Sequence, residues 1–525
     1  MIKRQTLTAV ICALLAAVLA IVYFSVIEPM LAPEEEKITP IELLDGEVRM
    51  YDQTRVYMFR PIGSSKSIKK IEVRNNAGGY TFYYNSKKDT FFIEGREDAP
   101  YDSMALSSII ATMRAPVANE RYLIESNEEL SAYGLAADQN PACFIVTDDN
   151  DNIHQVWIGK KAPSGDGYYC QYNERKAVYL VRTTGFDVFL SSVYELMTPV
   201  IALQVPQNEY FEVSLLKIYK NGAPIVEIKT LSPEENGTDK TSKPTYSYEF
   251  GLKLQQYTPD ATEISSTLNL VSALSGSNVE AQGLDLVLGV DKLNKDLLKT
   301  RFRIDVDNPY YCIQYRYKSN DVELFFSSPD EEGNCYAFTT AYYTVVKMPF
   351  NSLPIYRYEA YDFIEKNIIA ENIANVSKIE IKGSIVENGN RISVDSAYGI
   401  KTTPVEGTEQ TVQTVWDIKK NKNFTADEVS NFKRLYYDVI NLDRENDDID
   451  VSTVTDATHI ASVTVTLTNG TAKTVDFYAI NSTTCYFTVN GKLGDFALLT
   501  QRDNVEKLIR DTYNFDLGYT IDSII

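Results

Sequence analysis

IKKIEVRNN (68–76), VSLLKIYKNG (213–222) and VSKIEIKG (376–383) read as three versions of one strand. Each places an apolar residue at x, x+3 and x+5: Ile68, Ile71 and Val73; Val213, Leu216 and Ile218; Val376, Ile379 and Ile381. Each is followed by a turn signal, Asn75-Asn76, Asn221-Gly222 or Gly383, as a hairpin requires. A repeat on this scale takes precedence over any single element, because each copy must be one supersecondary unit.

Working outward, the same succession follows each opening strand. An aromatic strand comes next: Phe91-Phe92-Ile93, then residues 246–250, then Trp416 with Ile418. An amphipathic helix comes after it. The first carries Leu106, Ile109, Ile110 and Met113 behind Asp102, and the second Ile264, Leu268 and Val271 behind Pro259. The third opens on a capping box, Thr425 to Glu428, and continues through Phe432, Leu435, Tyr436 and Val439. Each copy then closes on an antiparallel meander: CFIV, QVWIG, YYCQY and AVYLV in the first; YYCIQY, VELFF, CYAF and YYTVVKM in the second; ASVTVTL, TVDFYAI, CYFTV and FALL in the third.

The expected fold class is therefore α+β: three related modules, each an antiparallel sheet or meander with one or two packed helices, plus one N-terminal transmembrane helix. Module 1 spans 67–200, module 2 spans 209–353 and module 3 spans 375–525. Residues 198–209 and 351–375 read as linkers, and SPEENGTDKTSK (232–243) as a mobile hairpin tip. Residues 28–66 form a membrane-proximal segment with a short strand at 56–59.

Composition sets the class. The chain has 525 residues, enough for about three domains of ordinary size. Its 36 Tyr and 22 Phe against 2 Trp suit half-buried strands, where the ring packs inward and the hydroxyl stays wet. A net charge of −21 repels phosphate backbones and argues against nucleic acid as a partner. Of six cysteines, Cys12 lies in the N-terminal apolar run, and the other five are too sparse for a disulfide framework. Cys170, Cys335 and Cys485 fall on the same strand of the three copies and read as one recurring buried small hydrophobe.

Lys3 and Arg4 precede LTAVICALLAAVLAIVYFSVI (7–27), whose 21 residues would span roughly 31 Å as a helix. Glu28, Glu34, Glu35 and Glu36 follow it. The expectation is a cytoplasmic tail at 1–6, a membrane anchor at 7–27 with the lipid bilayer as its partner, and an extracytoplasmic body. A cleavable signal peptide ending at Val18-Leu19-Ala20 is the rival, although the apolar run continues beyond it. Cys12 sits too early and follows Ile11, which does not suit a lipoprotein signal.

SIKKIEVRNNAGGYTFYYNSKKDTFFIEG (67–95), YGLAADQNPACFIV (133–146) and WIGKKAPSGDGYYCQYNERKAVYLV (157–181) together resemble the bacterial domain-of-unknown-function family 4340. The resemblance covers roughly residues 38–200, and copies two and three lack the Tyr133-Gly134-Leu135 motif. It implies a short membrane segment, a β-rich exported body and an association with ABC-type export systems of the gliding-motility kind. The family offers no catalytic residues to transfer.

The residues themselves nominate no catalytic, cofactor-binding or metal site. His154 and His459 lack a ligand-type companion at i+2, i+3 or i+4 and read as structural. A Ser–His–Asp site would have to use one of them, and no G-x-S-x-G supplies the serine. Asp148-Asp149-Asn150-Asp151-Asn152 hints at a calcium loop, but Ile153 and Gly159 stand where a glycine and a closing acid belong. It reads instead as a hairpin turn, and DRENDDID (443–450) as a charged loop. No P-loop or G-x-G-x-x-G supports nucleotide binding. The expected function is a non-enzymatic, membrane-anchored accessory or binding component beside an ABC transporter permease subunit. A surface carbohydrate-binding or adhesive protein is the alternative, and a paired-carboxylate hydrolase a distant third.

Overall fold

The opening strand of the first copy becomes β1 (Ile68–Asn75), which leads by a tight turn into β2 (Gly78–Asn85) and then β3 (Thr90–Ile93). Helix α1 (Ser103–Arg114) follows and buries Leu106, Ile109, Ile110 and Met113, the four positions its periodicity singled out. After it come β4 (Glu120–Leu123), β5 (Ala142–Asp148), β6 (Ile153–Lys161), β7 (Gly167–Tyr172) and β8 (Ala177–Arg182). They form an eight-stranded antiparallel sheet in the order β3-β2-β1-β5-β6-β7-β8-β4. These elements belong to a computed structural model that describes residues 14–27, 40–182, 186–235, 246–288, 292–405 and 411–521.

The second copy contributes β9 (Val213–Lys220), β10 (Ala223–Leu231), β11 (Ser247–Phe250), helix α2 (Ala261–Ser272), β12 (Asn278–Gln282) and helix α3 (Lys295–Phe302). Its meander is β13 (Tyr311–Tyr317), β14 (Asn320–Phe326), β15 (Asn334–Thr339) and β16 (Thr344–Pro349). The third copy contributes β17 (Val376–Glu387), β18 (Asn390–Pro404), β19 (Thr411–Asp417), helix α4 (Ala426–Ile440) and β20 (Arg444–Asp450). It continues through β21 (Thr458–Leu467), β22 (Ala472–Ala479), β23 (Thr484–Val489), β24 (Phe496–Gln501) and helix α5 (Arg502–Asp516).

The sheet orders are β11-β10-β9-β13-β14-β15-β16-β12 and β19-β18-β17-β21-β22-β23-β24-β20, the latter extended beyond β19 by the two-residue strand Lys422–Asn423. Both repeat the order of the first sheet. The described chain is thus a mixed α and β protein dominated by antiparallel sheets, with few helices. It divides into two compact units, Met1–Glu94 with Ser103–Leu196, and Gly95–Asp102 with Met197–Ile525.

The odd spacing x, x+3, x+5 now has a cause. Side chains on a strand alternate with period two, so three residues on one face belong at x, x+2 and x+4. In all three copies the pairing register shifts once, immediately after x: between Ile68 and Lys70, between Val213 and Leu215, and between Val376 and Lys378. A bulge therefore inserts one residue and carries the next two apolar positions one place along. All nine are buried, at 2% exposure or less. Just outside each bulge the meander strand is tied to the preceding residue by a backbone bond: Asp149 N to Ser67 O, Lys318 N to Glu212 O and Thr468 N to Asn375 O, at 2.8, 3.1 and 2.8 Å.

Several expectations need correction. Gly383 is no turn residue but lies inside β17, and the turn falls at Asn388-Gly389. There, as at Asn221-Gly222, both residues have positive φ (49° and 81°; 49° and 75°), which fits a two-residue hairpin. Gly383 marks a close approach: a Cβ there would lie 2.7 Å from Ile460 O and 2.8 Å from Ile509 Cδ1 on α5. Gly383→Val should therefore lift α5 off the sheet and lower stability by about 1–3 kcal/mol. A melt indistinguishable from wild type would refute this packing.

The acidic run 443–450 is not a loop. It holds β20, the outer strand of its sheet, paired only to β24. An edge strand tolerates this sequence because its outward side chains meet water, and the charge discourages pairing with another chain. The two linkers carry buried residues: Ile201 and Ala202 in the first, and Phe363, Ile364, Ile368 and Ile369 in the second. Residues 236–243 of the expected hairpin tip lie outside the described residues.

Near the N-terminus, residues 14–22 are α-helical and Tyr23–Ile27 continue as a π-helix. Leu15, Leu19, Ile21 and Phe24 on it are 57–66% exposed. No helix of the described residues is long and apolar enough to cross a membrane. Residues 7–13 of the expected anchor, the expected tail at 1–6 and residues 28–39 of the membrane-proximal segment lie outside the described residues.

Candidate functional site

The second module holds the site with the most distinctive chemistry. Along β13, Ile313 and Tyr315 point to one face of the sheet, and Cys312 and Gln314 to the other. On the Cys312 face α3 covers a core of Leu298, Phe302, Cys312, Phe325, Phe338 and Val345. Asn294 starts that helix by accepting from Leu297 N at 3.0 Å, leaving Lys295 exposed at its first position. Beside the helix a cavity of about 320 Å³ opens onto this face, lined by apolar Tyr219, Leu293, Val306 and Phe325 and by polar Lys295, Asp307, Gln314, Glu323 and Thr340.

Gln314 and Glu323 are direct cross-strand partners on β13 and β14. Gln314 Nε2 donates to Glu323 Oε1 at 2.7 Å, and the Glu323 backbone N–H donates to Thr340 Oγ1 at 2.9 Å. Burial pushes the Glu323 carboxyl above the usual carboxylate range, and the charge of Asp321 adds to this. Lys295, the cation that lines the cavity, is held by Asp307 at 2.5 Å. Among the described residues no cation pairs with Glu323, so the carboxylate offers an acceptor oxygen into a cavity whose lining is partly apolar.

The two histidines, read from the sequence as structural, lie elsewhere. His154 is on β6, stacked on Phe59 with ring centroids 4.2 Å apart, and its Nδ1 lies 3.0 Å from Tyr172 Oη. Burial holds its pKa below the ordinary value despite Asp148. His459 does meet a serine and an aspartate: its Nε2 lies 3.1 Å from Ser462 Oγ and 3.4 Å from Asp476 Oδ1. Both contacts use the same nitrogen, and Ser462 donates to Asp476 directly. A catalytic triad needs the carboxylate on the far nitrogen and the serine on the near one, so this is a surface cluster with the wrong order.

Asp148 organises the β5–β6 turn, accepting from Asn150 N at 2.9 Å, Asn152 N at 2.8 Å and Asn152 Nδ2 at 2.8 Å. The five-residue acidic run is therefore a hairpin turn, and no group of described residues is arranged to hold a metal ion. Cys170, Cys335 and Cys485 stand on β7, β15 and β23 and are free and buried. Burial pushes the thiols of Cys335 and Cys485 up to about 12. Cys143 and Cys312 form a second equivalent pair, each the second residue of its strand, which the sequence reading did not single out.

Two ionic clusters also escaped the sequence reading. In the first unit Glu47, with no exposed side-chain surface, meets Arg121 at 2.5 Å and accepts from Tyr179 Oη at 2.8 Å. In the second, Lys507 on α5 lies 2.5 Å from Asp438 on α4 and 2.6 Å from Asp511. Burial, with Asp511 close by, pushes the Asp438 carboxyl up to about 6 in spite of Lys507. Asp438 therefore binds its proton more tightly folded than unfolded, and this contribution stabilises the fold as pH drops from about 6 toward 3.8. Between pH 7 and pH 5 the wild type should gain melting temperature relative to Asp438→Asn. Equal pH dependence in the two proteins would rule out this titration.

The class these features define is a multi-sheet α+β protein built on one repeated strand order. Within the chain, residues 92–295 match the model of a family described as Domain of unknown function (DUF4340). The match begins in β3 and ends at the start of α3, so the similarity crosses from the first copy into the second. That differs from the 38–200 span expected from sequence and extends the likeness to part of copy two. Comparison with curated proteins and with solved structures yields no match.

Proposed function

We propose that this is a non-enzymatic binding protein, tethered by its N-terminal apolar segment, with its modules outside the cytoplasmic membrane beside an ABC-type transporter permease. The observation that carries the binding part of this reading is the variation at one position of the repeated sheet. The ladder position that holds Glu323 in the second module holds Gln155 in the first and Thr474 in the third. One scaffold with changing side chains at a fixed position suits recognition better than a shared reaction. The exposed apolar side chains along 14–24 support the tether. The resemblance to the domain family supports the transporter association.

The test is crosslinking of the tagged full chain in its native membrane, followed by identification of its partners. Recovery of a permease subunit supports the reading, and a clean absence of transporter subunits defeats it. Protease added outside intact spheroplasts should degrade residues 40–521, and protection of that body would overturn the topology. The adhesive alternative rests on tyrosine-rich faces, but Tyr122, Tyr133 and Tyr169 pack on one another against buried Leu130 and Val178. That arrangement favours a core role for these rings over a stacking platform.

A further inference from the structure

The cavity on the second module points to a ligand class. Its lining sets apolar Tyr219, Leu293, Val306 and Phe325 beside the carboxylate of Glu323, with Lys295 and Asp307 also lining it. A half-buried carboxylate is costly unless it is paired or hydrogen-bonded. Glu323 has half of what it needs: Gln314 satisfies Oε1 at 2.7 Å, while no ion pair reaches the carboxylate from any described residue. Asp321, of the same sign, acts on it and adds to the upward push of burial on its carboxyl. Lys295 is committed to Asp307 at 2.5 Å. The three charged groups lining the cavity, Lys295, Asp307 and Glu323, leave one net negative charge to be met from outside.

The other two copies sharpen the point. Counting from the bulge, Gln314 and Glu323 correspond to Ile145 and Gln155 in the first module and to Thr464 and Thr474 in the third. In the third, the two threonine hydroxyls satisfy each other at 2.9 Å. Neither of the other ladders places a charge at this position, so the carboxylate is not a requirement of the sheet. A volume of about 320 Å³ is at the small end of ligand pockets, which run from about 300 to 1,000 Å³.

The geometry points to a binding site for a small organic ammonium ion, its charged head on Glu323 and its apolar body against Tyr219, Val306 and Phe325. This deepens the binding-protein reading and rests on it. The ammonium donates to the free Glu323 oxygen, Gln314 keeps the carboxylate oriented, and the acidic chain, at −21, raises the local concentration of cations.

Benzylamine is the probe, with benzyl alcohol and benzoate as neutral and anionic counterparts of similar shape. Binding to the detergent-solubilised full chain is followed by ligand-observed NMR titration. Saturable benzylamine binding is expected, weakened at least tenfold by Glu323→Gln and by the pocket-filling Val306→Trp, with benzoate binding weakest of the three. Equal benzylamine affinity in wild type and Glu323→Gln overturns the proposal, as does benzoate binding as tightly as benzylamine or a complete lack of saturable binding. Folding of each variant is checked by its melt, and Gln155→Glu in the first module, at a residue that does not line this cavity, should leave benzylamine binding unchanged. Failure here with transporter subunits still crosslinked defeats the ligand class alone. Benzylamine binding without any transporter crosslink defeats only the transporter reading.

Discussion

Replacing Arg444 by methionine will loosen the second unit where its two sheets are joined. Arg444 begins β20, is 7% exposed, and reaches back into the segment that precedes the third module. Its guanidinium donates to Tyr361 O at 2.6 Å, Ile364 O at 2.7 Å, Glu365 O at 3.1 Å and Asn446 Oδ1 at 2.6 Å. The same segment touches the second module, where Asp260 N donates to Phe363 O at 2.8 Å and Glu365 N to Thr258 O at 3.0 Å. Methionine fills much of the volume but supplies no donor, so buried carbonyls lose their partners at about 1–3 kcal/mol each.

We expect a total loss on the order of 3–5 kcal/mol, with amides of residues 360–369 exchanging faster than in wild type. Arg444→Lys should recover only part of it, because one ammonium cannot reach acceptors spread around a planar fork. An unchanged melt with unchanged exchange in that segment would mean the arginine does not hold the join.

The second large effect is expected in the first unit. Glu47→Leu removes the carboxylate that faces Arg121 at 2.5 Å, accepts from Tyr179 Oη at 2.8 Å and accepts from Leu44 N at 2.8 Å. Arg175 belongs to the same network through Tyr179 Oη at 2.7 Å and Met58 O at 2.8 Å. Arg121 is only 10% exposed in its side chain, so losing its counter-ion leaves a nearly buried charge unpaired. Breaking such a pair from one side costs about 3–5 kcal/mol. Glu47→Leu with Arg121→Leu should cost less than the single change, because Arg121 is then not left as an unpaired charge; Arg175, 3.9 Å from Glu47 and 14% exposed, loses its counter-ion in both variants.

The protein's two tryptophans make both predictions separable. Trp157 lies in the first unit and Trp416 in the second. Fluorescence unfolding of Trp416→Phe and Trp157→Phe backgrounds therefore reports each unit alone. Glu47→Leu should shift the Trp157 transition, and Arg444→Met the Trp416 transition. The reverse assignment would contradict the clamp geometry.

What the sequence disclosed depended on how local the signal was. Helices α1, α2 and α4 were legible because their buried faces recur at helical spacing and their caps are close by, Thr425 with Glu428 above all. The meander strands were legible as short alternating runs. Gly383 misled because a glycine after an apolar strand usually signals a turn, whereas here the reason for it, Ile509, is 126 positions later in the chain. Residues 444–450 misled because an edge strand can be as acidic as a loop.

The cavity was invisible for a related reason. Gln314 and Glu323 are ordinary polar residues until the register of β13 on β14 sets them face to face. Glu47 and Arg121 are 74 positions apart and meet only through tertiary packing. The cysteines were the opposite case, since their positions within the repeated strands already implied burial.

The shared bulge has a practical consequence. It gives the paired residues of the opening strand and of the meander strand beside it counterparts in the other two copies, fixed by simple counting, so the molecule contains its own experimental replicates. A change on one ladder can be repeated at the matching rung of its siblings in the same polypeptide, under the same solvent and the same pH. Effects common to all three would report the scaffold, and an effect confined to one would report what that copy alone has acquired.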